Sequence, residues 1–275
     1  MIHRRYSEPI TLNDIAAEVF VSPFHLSRVF SQEIGVPPGR YLSAVRMFEA
    51  KRLLVASRMT VCDIVHSVGY NSVGTFTSRF SRATGMTPRQ YRRPEVERAL
   101  VAASGGFSRM PSLQELNRPT APSGGPRTAT GPTGTLSGVV DLPRHRPGTN
   151  LVIGLYREPI PQRAPVAHLA LPATSSTRFT FPSVPAGPWT VMALAMPPGT
   201  SADGADVLVG APVGRVTVHP RTDTRTRFTM RRLTSTDAPI AVTLRTPPPP
   251  VGRGPEPALR AHRPAADPSL TGSRT

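Results

Sequence analysis

The chain has a single cysteine, Cys62, in 275 residues. No intrachain disulfide and no cysteine-cluster zinc site can form, and a reducing compartment is expected. Long apolar runs are missing too. Nothing approaches the 18 or so residues of a spanning helix, and the start, MIHRRYSEPI, lacks the apolar core of a signal peptide. Acid is scarce, with 17 Asp and Glu against 33 Lys and Arg for a formal charge of +16. Lys51 is the lone lysine. Such a balance points to a polyanion, nucleic acid or an anionic surface, although GC-rich coding also enriches arginine. Catalytic motifs are absent: the seven histidines are scattered, and there is no HExxH, phosphate loop or nucleophile elbow. Asp203 and Asp206 lack the other ligands of a calcium loop and read as a surface turn. No catalytic residue, metal site or cofactor is expected. Cys62 reads as a small buried hydrophobe.

What is present divides by period. Helical spacing runs to about residue 93. Residues 94–134 close on a tract rich in Gly, Pro, Ser and Thr and read as a flexible linker, which predicts two domains tumbling nearly independently. From 135 to 245, short alternating runs such as NLVIGLYR, TRFTF and PWTVMALA predict an all-β sandwich. The Pro-rich tail, 246–275, reads as disordered.

The helical part contains a repeat. DIAAEVFVSPFHLSRVFSQEIGVPPGRY, from residue 14, matches DIVHSVGYNSVGTFTSRFSRATGMTPRQY, from residue 63, with one extra residue at the turn of the second copy. Each copy predicts a short helix, a tight turn and a second helix capped by serine (Ser22 followed by Pro23; Ser72), which is a helix-turn-helix pattern. The units span about 12–34 and 61–84. A helix at about 40–57, roughly 25 Å long, joins them.

Helical wheels sort the second helices. In the second copy Phe76, Phe80 and Ala83 face the core. Gly74, Thr75, Ser78, Ser81 and Arg82 lie opposite, and Arg79 lies on the flank. This outer face carries no acid, unlike most solvated faces. In the first copy Leu26, Val29 and Phe30 form the core stripe, leaving Phe24, Arg28 and Ser31 outside with Ser27 at the edge. Phe24 suits a thymine methyl and Arg28 a guanine edge. The competing reading packs Phe24 on the linker helix.

These residues resemble the DNA-binding domain of the AraC/XylS-type transcription regulators, two helix-turn-helix units joined by a helix. The resemblance covers about 90 residues and is most specific at Gly69, Tyr70, Phe76, Phe80, Gly85, Pro88, Tyr91 and Arg92. It implies base contacts from Phe24, Ser27 and Arg28 in the first unit and from Val73, Gly74, Thr75 and Ser78 in the second. Phosphate contacts are expected from Arg79, Arg82, Arg89 and Arg92. Many members have arginine where Ser78 stands, and glycine where Phe20 stands. Many also place a sensor before this domain, whereas the β-region here follows it. Little chain precedes the first unit, and the true start is expected upstream. More faintly, the β-region resembles the prealbumin-like or carboxypeptidase-regulatory-like sandwich, with Pro185, Gly187 and Trp189 turning into a strand.

The expected partner is double-stranded DNA, with no membrane involved. RNA polymerase and an unknown effector or protein at the β-domain are further candidates, and the expected location is the cytoplasm, at the nucleoid. Two alternatives to a sequence-specific regulator stay open: a non-specific architectural DNA-binding protein, and a β-domain binding module merely localised to DNA.

Overall fold

The structure is a computed structural model describing residues 1–118, 131–200, 204 and 206–244. The expected disordered tail, residues 119–130 of the expected linker, and Asp203 lie outside the described residues.

A helical part is followed by a β-rich part with several sheets. The helices are α1 (Ile2–Arg5), α2 (Leu12–Glu18), α3 (Pro23–Ile34), α4 (Pro38–Ala56), α5 (Val61–Ser67), α6 (Val73–Thr84), α7 (Pro88–Tyr91) and α8 (Pro94–Arg98). The repeat survives at the level of caps. Thr11 with Asp14 and Thr60 with Asp63 form capping boxes at the starts of α2 and α5. Ser22 and Ser72 accept the backbone N–H three residues on, and Gly35 and Gly85 end α3 and α6 in the left-handed conformation. Within the turns, the N–H of Val21 donates to Ala16 O and that of Tyr70 to Val65 O. Val21 therefore matches Tyr70, which identifies Asn71 as the extra residue.

Downstream come β1 (Leu100–Ala103), α9 (Leu113–Leu116), β2 (Thr133–Asp141), β3 (Asn150–Tyr156), β4 (Ala167–Pro172), β5 (Ser176–Pro185), β6 (Gly187–Met196), β7 (Leu208–Gly210), β8 (Val216–Val218), β9 (Asp223–Thr229), β10 (Arg231–Arg232) and β11 (Ile240–Thr243). One sheet runs β10-β7-β6-β3-β4 with β8 added to β6, and a second runs β5-β2-β9. They pack face to face over Leu136, Ile153, Phe179, Phe181, Trp189, Val191 and Phe228, giving the sandwich that alternating apolar positions require. Its β2–β9 pairing is parallel. The Pro185–Trp189 turn is present: Gly187 sits at φ +128, and the buried Trp189 indole donates to Pro185 O at 2.8 Å.

The expected linker differs most from its description. Residues 94–118 hold α8, β1 and α9, and β1 pairs antiparallel with β11, about 140 residues later in the chain. Side chains alternate across a strand, so this two-stranded ribbon serves two cores. Val101, Ala103, Ile240 and Val242 lie against Val152, Leu194 and Val209 of the larger sheet. Leu100, Ala102 and Ala241 lie against α4 to α7 with Phe48, Phe80 and Tyr91. The two parts are docked through a shared apolar layer rather than hung on a tether.

Lys51 fastens the same joint. It is fully buried, and its ammonium donates to Ala241 O at 2.7 Å and to Gln162 O and Oε1, each at 2.9 Å. Burial pushes its pKa down to about 7, while Glu158 opposes the shift. Cys62, expected in the core, is exposed on α5 instead. In α5 it is Ile64 and Val65, and in the turn Val68, that fill the inner face.

Candidate nucleic-acid interface

The cores of the two helix-turn-helix units pack on successive halves of α4, the first on Tyr41, Leu42, Ala44 and Val45 and the second on Met47, Phe48, Ala50 and Leu54. Ten of the nineteen residues of α4 are buried, so it acts as the spine of the helical part.

On α3, Phe24 is 81% exposed and Arg28, one turn later, is also exposed. The packing of Phe24 on the linker helix does not occur. Ser27 is half-buried, and its carbonyl accepts from Ser31 Oγ at 2.7 Å. Val29, expected in the core, is exposed. It occupies the place that Arg79 holds in α6, at the edge of the buried stripe. Leu26 and Phe30 alone of the expected stripe pack inward, and no residue of α3 is fully buried.

Phe20, which lies outside both helical wheels, is a surface aromatic. It sits in the turn at φ +55 and is 95% exposed. A bulky residue in the left-handed region costs about 1–2 kcal/mol, yet the turn keeps the geometry that Gly69 gives its counterpart at φ +79. The signal was in the alignment of the copies, which sets Phe20 opposite Gly69. Together with Val19, Phe20 and Phe24 form an exposed apolar patch at the start of α3.

On α6, Val73, Gly74, Thr75 and Ser78 are exposed at the amino-terminal half, and Phe76 and Phe80 are sealed beneath them. A Cβ on Gly74 would meet only Ser72 Oγ, at an ordinary 3.8 Å. Packing therefore does not demand glycine there, although glycine within a helix costs roughly 0.5–1 kcal/mol. The surface gains a place where a ligand can approach the backbone closely.

Arg79, Arg82 and Arg89 are exposed. Arg92 is not available in the same way. It is half-buried, donating to Met59 O at 2.6 Å with its Nε enclosed, so it ties α7 back to the segment before α5. Of the four arginines expected at phosphates it is thus the one held by an internal hydrogen bond.

The interface has the electrostatics of an anion-binding surface. The exposed side chains of α6 include arginines and hydroxyls and no acid, and the partial positive charge at the amino-terminus of each 12-residue helix adds to them. Docking of the β-part leaves the amino-terminal half of α6 open. Its inner face shares a core with the β1–β11 ribbon, and at its carboxy-terminal turn Arg163 donates to the Arg82 carbonyl. Among the described residues no group of His, Cys, Asp or Glu is placed to hold a metal ion, and no helix is long and apolar enough to cross a membrane. Asp206 is engaged by Arg146 and Arg232.

Two capped helix-turn-helix units on one rigid helix define the class of a double helix-turn-helix DNA-binding domain. Comparison with known proteins agrees. The family described as "Helix-turn-helix domain" matches residues 15–94. An HTH-type transcriptional regulator of Mycobacterium tuberculosis is 37% identical over 82 residues, 30% of this chain and 32% of that protein. The lactose operon transcription activator of Staphylococcus xylosus is 31% identical over 91 residues, 33% of each chain. The matches thus span about a third of the length of these relatives. Among solved structures, the C-terminal domain of AraT, a response regulator from Geobacillus stearothermophilus, is 35% identical, covering 34% of this chain and 77% of that one, with a TM-score of 0.33. Residues 15–94 are accordingly a helix-turn-helix domain of the AraC type.

Proposed function

We propose that the chain is a sequence-specific, DNA-binding transcription regulator that seats α3 and α6 in adjacent major grooves on one face of a duplex. The observation that carries this reading is the outward amino-terminus of each capped helix, in two units whose cores pack on successive halves of α4. Nineteen residues at 1.5 Å each make that spacer about 28 Å long, against roughly 34 Å between successive grooves, and modest bending of the duplex closes the difference. One chain then covers two half-sites.

The two helices are equipped for different tasks. Phe24 and Arg28 offer an apolar contact and a bidentate donor, and Ser27 lies between them. In the second, Val73, Gly74, Thr75 and Ser78 offer hydroxyls and an open backbone, while Arg79, Arg82 and Arg89 reach phosphates. Base discrimination is therefore assigned chiefly to the first unit and sequence-independent affinity to the second. The β-part is assigned the regulatory input, from an effector or a protein such as RNA polymerase, at chromosomal DNA in the cytoplasm.

A selected-site profile with the full chain tests the reading. Arg28→Ala should cost about 1–3 kcal/mol and relax preference at one base position, whereas Arg79→Ala should weaken all sequences alike and lower the salt slope by about one. Binding without sequence preference and with a steep salt slope would instead identify an architectural protein. The sharper preference under α6 would reverse the division of labour.

A further inference from the structure

The carboxy-terminal half of α6 and the amino-terminal half of α4 face the β3–β4 loop, 157–166, across a cavity of about 270 Å³. Its size is near the lower end of small-molecule sites, which run roughly 300–1,000 Å³. Three arginines line it: Arg40 from α4, and Arg79 and Arg82 from α6. All three residues are exposed, and none has an ion-pair partner among the described residues. One carboxylate, Glu158, stands in the lining against them. Ala44, Met47 and Ile160 supply an apolar floor.

The far wall is fixed rather than loose. Lys51 grips Gln162 through both its backbone carbonyl and its side chain, and Arg163 donates to the Arg82 carbonyl. The loop is thereby pinned to α4 on one side of the cavity and to α6 on the other. Cationic rim, apolar floor and braced wall together describe a preformed receptor.

We infer that this cleft between the helical and β parts binds a small organic anion, a carboxylate on a short apolar body, and that the occupied cleft weakens DNA binding. The carboxylate meets the guanidinium groups, where charge-assisted hydrogen bonds are strongest, and the body covers Met47 and Ile160. The coupling rests on the proposed function above, because Arg79 and Arg82 are assigned there to phosphates. A ligand that engages them in the cleft competes with the duplex, and by linkage DNA lowers the affinity of the ligand by the same factor.

Calorimetric titration of the full chain with sodium hexanoate, at constant ionic strength, tests this, with hexan-1-ol and inorganic phosphate as controls. Hexanoate should saturate one site and bind at least about tenfold tighter than either control, the scale of one charge-assisted hydrogen bond. Arg40→Gln should weaken it, and Glu158→Gln should tighten it by removing the opposing charge. Saturating hexanoate should then lower the affinity of the chain for its selected DNA site. Failure of hexanoate to saturate, equal binding of hexanol, tighter binding of phosphate, or indifference to both substitutions would overturn the site. Hexanoate binding with DNA affinity unchanged would overturn the coupling. A chain that binds hexanoate but no DNA would refute the proposed function and leave the site standing, and one that binds DNA but not hexanoate would do the reverse.

Discussion

In the second helix-turn-helix unit Phe76 and Phe80 are completely sealed, and a ladder of rings runs from Tyr70 through Phe76 and Phe80 to Tyr91. At the matching positions of the first unit Leu26 and Phe30 are only half-buried, and the ring contacts reduce to Phe30 and His3 against Tyr41. Caps and turns are nearly the same in both. The second core is completed by residues outside the repeat, Leu100, Ala102 and Ala241 of the ribbon, whereas the first receives little more than Ile2, Ile10 and Ile160. Two copies of one local pattern thus differ in solidity because the rest of the chain covers one of them more fully than the other.

The largest test of this difference is a pair of truncations. Phe80→Ala should cost about 3–5 kcal/mol in denaturant unfolding, and Phe30→Ala roughly 1–2 kcal/mol, because less apolar area leaves water at the second position. Equal costs would mean that the first core is as tight as the second.

Next comes pH. The folded pKa of Lys51, about 7, lies below its ordinary 10.5, so between those values the unfolded chain binds the extra proton. Stability should therefore rise as pH increases from about 7 toward 10.5, by at most about 1.4 kcal/mol per pH unit, and level off below 7. The three carbonyl-type acceptors favour the charged ammonium and so shorten this pH window from its lower end rather than change its steepness. Lys51→Met should abolish the slope, and hydrogen exchange should show the change in α5 and α6 rather than α2 and α3. A slope that persists in the variant would assign it to another group.

The turns give a smaller, opposed pair of effects. A Cβ at Gly69 would stand 2.9 Å from the carbonyls of Tyr6 and Ser7, at φ +79. Gly69→Ala should thus cost upwards of about 1–2 kcal/mol, while Phe20→Gly should gain up to about 1 kcal/mol by releasing its left-handed strain. A loss of DNA affinity in stable Phe20→Gly protein would show that the exposed ring touches DNA. The least effect expected is in native-state hydrogen exchange at neutral pH, where α3 amides should open at lower free energy than those of α6. The reverse order would remove the distinction between the units.

Much of the candidate site was legible because its signals are local. Serine caps, the Gly35 and Gly85 stops, and the i, i+4, i+7 spacing of Phe76, Phe80 and Ala83 define helices and their outer faces within a dozen residues. Phe24, Arg28, Gly74 and Ser78 lie outward as their wheels require. Where a wheel had to choose between flank and core it failed, as with Val29, because a stripe shows direction but not what arrives to cover it. Arg92 looked like another surface arginine, since nothing nearby reveals that Met59 offers it a carbonyl.

By itself, then, the sequence determined the two capped units, the spacer helix and the strands of the sandwich, since periodicity, caps and turn residues act over short separations. Only the tertiary structure decided that LVAA at 100–103 is a strand. Four residues beside a Ser-Gly-Gly turn carry no periodic signal, and the partner is IAVT at 240–243. That one long-range pairing turns an expected tether into a layer with two apolar faces, buries Lys51 beneath it, and brings the β3–β4 loop against Arg79 and Arg82. Hydrogen bonding across about 140 residues of chain depends on which surfaces remain to be covered after each part has folded, and no local pattern encodes that.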